Sequence, residues 1–383
     1  MNTVVLKEGR PAIQSVLLST TFLFFGSFAT AEEPAELEEL IVTAGLEPIS
    51  VADVASSVTI ITREEIEQKQ VKFLADLLRD VPGFAVSQAG GPGTQTQVRV
   101  RGAEANQLLV LMDGIRANDP ASGDEFQFQY ALTSNIERIE IIRGPQSATW
   151  GTDALAGVIN IIRRKDVANQ YLAANAEYGS FNSVNLGVDG GINRERMTLT
   201  GGISYMNTDG TNISREGDED DGAENLNANA RMEIRASDSV GLVFSGQHVD
   251  ATSEFDDFDF FTTGLPVDAD RVTEAKRNYV RGEVRYDPAD DPWNGGFEIN
   301  WLDTDNNNFS DGVWDSATAA QTLEMRLKGS FLWGTKDSQN NRLTVVVDRE
   351  NVDLPKCGLG CVCQCVGFLR GNRAVCHALN PFN

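Results

Sequence analysis

The sequence predicts a small α+β domain followed by an antiparallel transmembrane β-barrel that is only partly present. Three observations carry this prediction: an export signal at the N-terminus, mixed helical and strand patterns over residues 46–165, and a two-residue alternation over residues 166–350. Alternation between an apolar and a polar face is typical of strands that separate lipid from a polar lumen, although it is weak in any single segment.

Composition narrows the classes of function. The chain has 383 residues, with 32 Lys and Arg against 56 Asp and Glu, so its formal net charge is −24. We therefore expect no nucleic-acid partner, because nucleic-acid binding needs a basic face. The chain contains two histidines, His248 and His377, and no Ser-His-Asp constellation is evident. We therefore expect that the protein is not an enzyme. After residue 31 no window offers ~18 uninterrupted apolar residues, and a membrane-spanning helix is not expected there.

Residues 1–31 have the pattern of a secretory signal peptide. Lys7 and Arg10 precede a mostly apolar stretch over residues 12–28. The small residues Ala29 and Ala31 then occupy the −3 and −1 positions before an expected cleavage site at Glu32. A retained membrane anchor is the alternative, but the apolar run is short. We expect the segment to be removed and the remainder to be exported.

Residues 32–45 should form a flexible, acidic tail. Within this tail, residues 40–44 form a β-prone apolar pentad that ends at Gly45. Such a pentad is either a core strand or a docking peptide that adds an edge strand to a partner. Packing considerations alone slightly favour the core strand.

Residues 46–165 alternate between short strands and short helices. Thr62 and Glu65 form a capping-box pattern that opens a helix, and apolar residues on one face predict a second helix over Val71–Arg79. Asp113 and Gly114 predict a hairpin turn. The predicted strands are Ser57–Thr62, Phe84–Ser87, Val98–Arg101, Leu108–Met112, Ile136–Arg143 and Val158–Ile162, with a short helix within Ser147–Gly157.

From residue 166 to residue 350 the helical period gives way to two-residue alternation. In one such run, Arg281 and Glu283 lie on one face, whereas Val280 and Val284 lie on the other. About nine strands are predicted in this way: Tyr171–Tyr178, Ser183–Gly190, Met197–Met206, Asn225–Arg235, Gly241–Val249, Tyr279–Tyr286, Gly295–Trp301, Leu323–Phe331 and Arg342–Asp348.

The connections between these strands alternate in length. Thr208–Glu224 and Asp250–Glu274 are predicted to be the long loops, and both are rich in Asp with Asn or Thr. A soluble β-sandwich is the alternative fold. Strand length, the acidic loops and the export signal together favour the barrel.

Four segments of the chain carry motifs of one known family. Residues 39–44 look like a TonB box, and Leu74–Gly83 resembles the first helix of a plug domain with its stop. Val98–Gly114 and Ile136–Ile162 resemble the central plug strands and the last plug segment, and these two matches together are highly specific. The chain therefore resembles a TonB-dependent outer-membrane receptor, most closely the cobalamin (vitamin B12) receptor type, from about residue 39 to residue 348.

The resemblance implies a domain organisation. Residues 1–31 are the signal peptide, 32–45 a periplasmic tail with the TonB box, 46–165 the plug, and 166–350 part of a barrel of about 22 strands. The TonB box is Glu39, Leu40, Ile41, Val42, Thr43 and Ala44. This reverses the preference for a core strand over residues 40–44, because the box docks on the energising protein TonB as an edge strand.

The resemblance also implies a function and a location. The family lies in the outer membrane of Gram-negative cells, surrounded by outer-membrane lipid, and imports an external ligand with energy relayed by TonB. Cobalamin or a related corrinoid is the implied ligand. A ferric siderophore is the alternative, because the plugs of the two receptor types look alike.

Two plug loops match the substrate-facing apices of the family. Their Gly, Ser, Asn and Gln content suits adaptable hydrogen bonding to a large polar ligand, although two ordinary turns would have the same composition. The candidate ligand-binding residues are Gln88, Gly90, Gly91, Thr94 and Gln95 in the first loop and Asn118, Ser122 and Asp124 in the second.

Calcium is the one metal that the resemblance suggests, because cobalamin receptors bind it through Asp residues of their first long extracellular loops. Hard oxygen ligands at close spacing suit this ion. The candidate ligands are Asp209, Asp218, Asp220, Asp221, Asp256 and Asp268. A solvated acidic loop is the alternative, and no other cofactor is expected.

Residues 351–383 do not fit the barrel. Residues 354–383 contain no Asp or Glu, and all five cysteines of the chain lie between Cys357 and Cys376. A metal or disulfide knot is one interpretation, but their spacing matches no zinc pattern. We expect instead translation out of frame after about residue 350, which leaves too few residues for a barrel of ~10-residue strands closing around a plug. A truncated remnant that does not transport is therefore the competing class of function.

Overall fold

The computed structural model describes residues 40–41, 49–50, 56–165, 167–214, 217, 219–259, 261–289, 291–333, 341–354, 362–367 and 374–379. The signal segment 1–31 and the TonB-box residues Glu39, Val42, Thr43 and Ala44 lie outside the described residues, as does Asp218. Within the described part of the chain, the helices are too short or too polar to cross a membrane.

The plug contains short strands and helices in the predicted order. Its strands are β3 (Ser57–Thr62), β4 (Phe84–Gln88), β5 (Thr96–Val100), β6 (Leu108–Met112), β7 (Ile115–Arg116), β8 (Ile136–Arg143) and β9 (Gly157–Arg163). Its helices are α1 (Arg63–Lys69), α2 (Leu74–Leu78) and α3 (Ser147–Trp150). Five of the strands form one sheet in the order β3-β8-β9-β6-β7, and β4 pairs with β5 separately.

Local sequence explains the ends of these elements. The Thr62 side chain accepts a hydrogen bond from the Glu65 backbone amide, and the Glu65 carboxylate accepts one from the Thr62 amide, so the predicted capping box begins α1. Asp113 and Gly114 both have positive φ, 51° and 86°, as a two-residue hairpin turn requires. The second helix is shorter than predicted, because Phe73 is extended and α2 begins only at Leu74.

The core of the plug lies between α2 and one face of its sheet. Leu74, Leu77 and Leu78 of α2 have no exposed surface, and they join Ile139 and Ile159 in one buried cluster. This burial explains why a helix of five residues is stable, since tertiary packing supplies the stability that so short a helix lacks in isolation.

Nine strands follow the plug in a single antiparallel sheet, each paired with the next in sequence. They are β10 (Gln170–Tyr178), β11 (Val184–Arg194), β12 (Met197–Thr208), β13 (Ala223–Arg235), β14 (Val240–Phe258), β15 (Pro266–Tyr286), β16 (Trp293–Ser310), β17 (Val313–Trp333) and β18 (Asn341–Asp353). We call this sheet the wall. The nine predicted strands are confirmed, and most of them are longer than predicted.

The wall has two chemically different faces. On β15, Tyr279 is 3% exposed and belongs to the plug's buried cluster, whereas Val280 and Val284 are 48% and 45% exposed on the opposite face. We call the face that carries Tyr279 the inner face. Its buried side chains are largely polar and include Thr200, Ser204, Asn225, Asn227, Gln247, Ser253, Arg277, Asn300, Thr304, Asn306 and Thr322.

The outer face carries an apolar band with aromatic residues at its edges. At one edge the Trp293 and Phe331 rings lie 4.5 Å apart, and Phe331 stacks on Trp333 at 5.8 Å. At the other edge Trp301 stands on the same strand as Trp293, eight residues further along. At about 3.3 Å per residue this spans roughly 26 Å along the tilted strand, comparable with the ~25 Å band of outer-membrane barrels.

Beyond this band the strands continue, and one predicted loop is therefore wrong. Residues 250–274 were expected to form a long loop, but β14 and β15 extend through most of them and pair from Val240↔Tyr286 to Phe258↔Pro266. Both faces of this extension carry polar residues, so the hydrophobic alternation that marks a strand is missing. The other long loop is confirmed, since β12 ends at Thr208 and β13 begins at Ala223.

The plug lies against the inner face through polar contacts. Arg163 at the end of β9 donates hydrogen bonds to Asp113 Oδ2 at 2.7 Å and to Gln247 on β14. Arg281 Nη1 on β15 donates to the Asp113 carbonyl at 3.3 Å. The plug and the wall are thus joined by hydrogen bonds and ion pairs as well as by apolar packing.

Two further pairs of short strands complete the described backbone. The strand β1 (Leu40–Ile41) pairs antiparallel with β2 (Ile49–Ser50), and β19 (Val362–Gly367) pairs with β20 (Ala374–Leu379) within the cysteine-rich tail.

Prediction for the outer face: placing a charge in the middle of the apolar band should destabilise the inserted chain. Phe297 lies between Trp293 and Trp301 on β16, and Phe297→Arg should cost about 2–4 kcal/mol in vesicles. Urea unfolding of the vesicle-inserted chain measures this. Asn307→Arg, on the same strand beyond the band, is the matched control and should cost less than about 1 kcal/mol; equal losses would contradict a lipid-facing band.

Candidate functional site

The first predicted ligand loop is the connection between β4 and β5. The Ala89 amide donates to the Gln95 carbonyl at 3.0 Å, which closes the loop. Gln88 Nε2 and Thr94 Oγ1 both donate to the Gly91 carbonyl, at 2.7 and 2.8 Å. Thr94 is buried, whereas Gln88 and Gln95 are exposed. The loop is therefore a compact turn whose two glutamine side chains face solvent.

Glycine allows this loop to pack closely against the wall. Gly93 has φ +79°, and a Cβ placed there would lie 2.9 Å from the Ser253 Cβ and 3.1 Å from the Ala223 Cβ. A Cβ on Gly90 would lie 3.2 Å from the Ile213 side chain. The first apex thus touches β13 and β14 and also the long loop over residues 209–222.

The second predicted ligand loop, residues 118–124, is held from within by Asn118. The Asn118 Oδ1 atom accepts from the Val110 amide at 2.9 Å, and its Nδ2 donates to the carbonyls of Leu108 and Asp124 at 3.0 and 2.8 Å. The Asn118 amide is thus fully engaged inside the plug. Of the predicted residues in this loop, Ser122 and Asp124 are the ones left partly exposed.

Asp119 organises the same loop and was missed from the sequence. Its Oδ1 accepts from the Ala121 amide at 3.0 Å, and its Oδ2 accepts from Ser122 Oγ at 3.2 Å. Its own backbone amide donates to the Glu125 carbonyl at 3.0 Å. An Asp that precedes Pro120 is a common turn signal, and this signal could have identified the residue.

An acidic cluster lies beyond the first apex. Oxygen atoms of Glu219, Asp256 and Asp268 all come within 4.8 Å of one another. Asp256 is buried, with one oxygen accepting from the Ser214 amide at 2.8 Å and the other from the Ala269 amide at 3.2 Å. We call Glu219, Asp256 and Asp268 the acidic cluster.

The acidic cluster brings together some of the predicted calcium ligands and leaves others apart. Asp256 and Asp268 are members, whereas Asp209 Oδ2 accepts from Asn182 Nδ2 at 2.5 Å and Asp220 Oδ1 accepts from the Asn212 amide at 3.3 Å. Glu219 was not among the predicted ligands. Its membership depends on the fold of a long loop, so local sequence offered no signal for it.

Like charges crowd around the acidic cluster. Burial and the neighbouring Asp256 carboxylate raise the pKa of Asp221 to about 6. Burial and the carboxylates of Asp268, Asp270, Asp256 and Glu254 also raise the pKa of Glu219. In each case the anionic form is disfavoured, so a bound cation would relieve the repulsion.

Comparison with known proteins finds similarity to receptors of one class. Residues 50–158 match the family described as TonB-dependent Receptor Plug Domain. In solved structures, the outer-membrane pyoverdine receptor FpvA of Pseudomonas aeruginosa aligns with a TM-score of 0.67 at 15% identity, over 82% of this chain and 48% of that one. The siderophore receptor PiuA of Acinetobacter baumannii aligns with a TM-score of 0.61 at 16% identity, over 82% and 50%. At such low identity these two structures show the fold alone.

The chain thus matches the plug domain of TonB-dependent receptors over residues 50–158, and the nine strands that follow share the fold of such receptors. Its sequence is similar to one type within that class. It is 36% identical over 194 residues to the vitamin B12 transporter BtuB of Vibrio vulnificus, which covers 49% of this chain and 31% of the relative. It is 33% identical over 231 residues to that of Photobacterium profundum, covering 59% and 38%. The chain therefore spans about a third of the length of these relatives. The likeness to the cobalamin receptor type and the predicted outer-membrane location are both confirmed.

Prediction for the first apex: Gly93→Ala should loosen it more than Gly123→Ala loosens the second. Both positions have positive φ, but a Cβ on Gly123 would meet no atom within 4 Å. Backbone strain is therefore common to both variants, and Gly93→Ala adds overpacking of about 1–3 kcal/mol. Hydrogen exchange of residues 89–97 and 118–125 measures the difference, and equal loosening would contradict close packing of the first apex on the wall.

Proposed function

We propose that the chain is the plug-bearing part of an outer-membrane receptor that binds cobalamin or a related corrinoid outside the cell and imports it with energy relayed by TonB. The sequence likeness to two vitamin B12 transporters is the observation that carries this proposal, because the longer match, over 231 residues, exceeds the length of the plug or of the wall taken alone. Binding and a moving plug suffice for this function, and no covalent step is required.

The two plug apices support the proposed ligand site. Gln88 and Gln95 are exposed on the first apex, and Ser122 and Asp124 are partly exposed on the second. The two loops are linked, since Gln97 Nε2 on β5 donates to both carboxylate oxygens of Glu125 at 3.2 and 3.0 Å. Amide and hydroxyl groups on rigid supports suit a large ligand with many hydrogen-bonding groups.

TonB is the proposed partner at the other end of the chain. In the described part of this segment, the TonB-box residues Leu40 and Ile41 form a two-residue strand that pairs with Ile49–Ser50. So short a pairing is easily exchanged for a longer one with an incoming strand, which is how an extended peptide docks on the edge of a sheet. A pull on this segment would then act on the plug that follows it.

Calcium is the proposed ion of the acidic cluster. Three carboxylates within 4.8 Å of one another supply the hard oxygen ligands that calcium prefers. The surrounding loop touches the first apex, since a Cβ on Gly91 would lie 3.7 Å from the Asp221 carbonyl and Gly90 faces Ile213. Binding of the ion would therefore order the loop that borders the proposed ligand site.

Prediction for calcium: Asp256→Asn and Glu219→Gln should each weaken calcium binding at least tenfold, because each removes a charged ligand from the acidic cluster. Titration calorimetry of the chain with calcium chloride measures this. Asp209→Asn is the matched control, because Asp209 pairs with Asn182 and lies outside the acidic cluster. Unchanged affinity in the first two variants, or an equal loss in the control, would refute the assignment.

Prediction for transport: a chimera should import cobalamin when residues 32–353 replace the matching segment of the Vibrio vulnificus transporter in cells that lack their own cobalamin receptor. Ile41→Pro should abolish import and leave surface binding of labelled cobalamin intact, because proline cannot donate to an added strand. Glu36→Pro, outside the box, is the control and should import normally.

The same cells distinguish the two candidate ligands. Uptake of ferric enterobactin or ferric pyoverdine without cobalamin binding would favour the siderophore receptor and overturn the proposal. Absence of binding for every ligand, with the chimera present in the outer membrane, would favour the remnant that does not transport.

A further inference from the structure

A buried polar junction joins the second plug apex to the wall. Asp119 of the plug is 1% exposed, and on the wall Arg277 of β15 and Thr304 of β16 are 3% and 1% exposed. All three side chains carry hydrogen-bonding groups, and two of them are charged. Removal of charges from water is costly unless they are paired, so this arrangement persists only if the contacts within it are good.

The Asp119 carboxylate serves the plug and the wall at the same time. Toward the plug it accepts hydrogen bonds from the Ala121 amide and Ser122 Oγ. Toward the wall, Oδ1 accepts from Thr304 Oγ1 at 2.9 Å, and Oδ2 accepts from Arg277 Nη2 at 3.5 Å. One side chain therefore sets the shape of the apex and its attachment to two neighbouring strands.

Arg277 is held in place by three different groups. Besides Asp119, its Nη2 donates to Asn306 Oδ1 at 2.9 Å, and its guanidinium carbon lies 4.6 Å from the centre of the Tyr130 ring. The Tyr130 carbonyl in turn accepts from Asn225 Nδ2 on β13 at 3.2 Å. Cation–π contact and hydrogen bonding offset part of the cost of burying the guanidinium, whose Nη1 finds no hydrogen-bond partner among the described residues.

We propose that Asp119, with Arg277 and Thr304, forms a latch that fixes the substrate-facing apex of the plug at its height on the wall, and that this latch must open before the apex moves. Asp119 is a positioning residue in this role. Both of its carboxylate oxygens already accept hydrogen bonds from the plug and the wall. Asp119 therefore affects a ligand only indirectly, through the position of Ser122 and its neighbours. The proposal concerns the resting plug and does not depend on which ligand the receptor binds.

The latch is tested by hydrogen exchange of the full chain in lipid vesicles. Asp119→Asn and Arg277→Gln should each speed amide exchange over residues 118–125 at least tenfold. The variant with both substitutions should exchange no faster than either single variant, because the second change removes the charge that the first left unpaired. If the two side chains acted independently, the increases in exchange rate of the two single variants would multiply in the double variant. That result would overturn the latch.

Neighbouring residues on the opposite face of the wall provide matched controls. Lys276→Gln and Asp305→Asn remove charges next to Arg277 and Thr304 in sequence, but from the outer face, and exchange over residues 118–125 should stay unchanged. Protection of β9 (Gly157–Arg163) reports whether the plug is folded in every variant. Loss of protection in β9 together with the apex would show general unfolding and would also overturn the latch.

Discussion

The pleat of the β-strand is the constraint on which the rest of the structure depends. Because successive side chains point to opposite faces, a wall strand can present apolar residues to one side and polar residues to the other. Tyr279 and Val280 are adjacent in sequence, yet one is packed on the plug and the other is half exposed. A slip of one residue in any strand would exchange these faces. The register of the sheet therefore determines which side chains face the plug and which face outward.

A polar inner face suits the proposed function, in which the plug holds one position at rest and moves during import. Apolar packing over so large a surface would hold the plug without a preferred position, whereas the hydrogen bonds Arg163–Gln247 and Thr304–Asp119 form only in one arrangement. The first apex also contacts the loop over residues 209–222, which carries part of the acidic cluster. Ordering of that cluster would therefore restrict the motion of the apex. The attachment of the plug, the proposed ligand contacts and the proposed ion site thus all lie along the boundary between plug and wall.

Periodicity predicted the fold better than it predicted the site. The capping box at Thr62 and the alternation of Val280–Val284 are local patterns, and the structure confirms both. The extended β14 and β15 escaped prediction because both of their faces are polar there. The acidic cluster and the Asp119–Arg277 contact join residues far apart in sequence, so they depend on strand register and, for Glu219, on the fold of a long loop. The TonB-box and ligand-loop assignments came from family motifs and stay predictions.

Quenching of tryptophan fluorescence by brominated lipids tests the two-faced wall most directly. Trp333 and Trp314 are equally exposed, at 48% and 47%, but Trp333 borders the apolar band and Trp314 lies beyond it, while Trp150 is buried in the plug. In chains that retain one tryptophan each, we expect strong quenching of Trp333 and of Trp293, and little of Trp314 or Trp150. Strong quenching of Trp150, or equal quenching of Trp333 and Trp314, would contradict a wall with lipid on one face and the plug on the other.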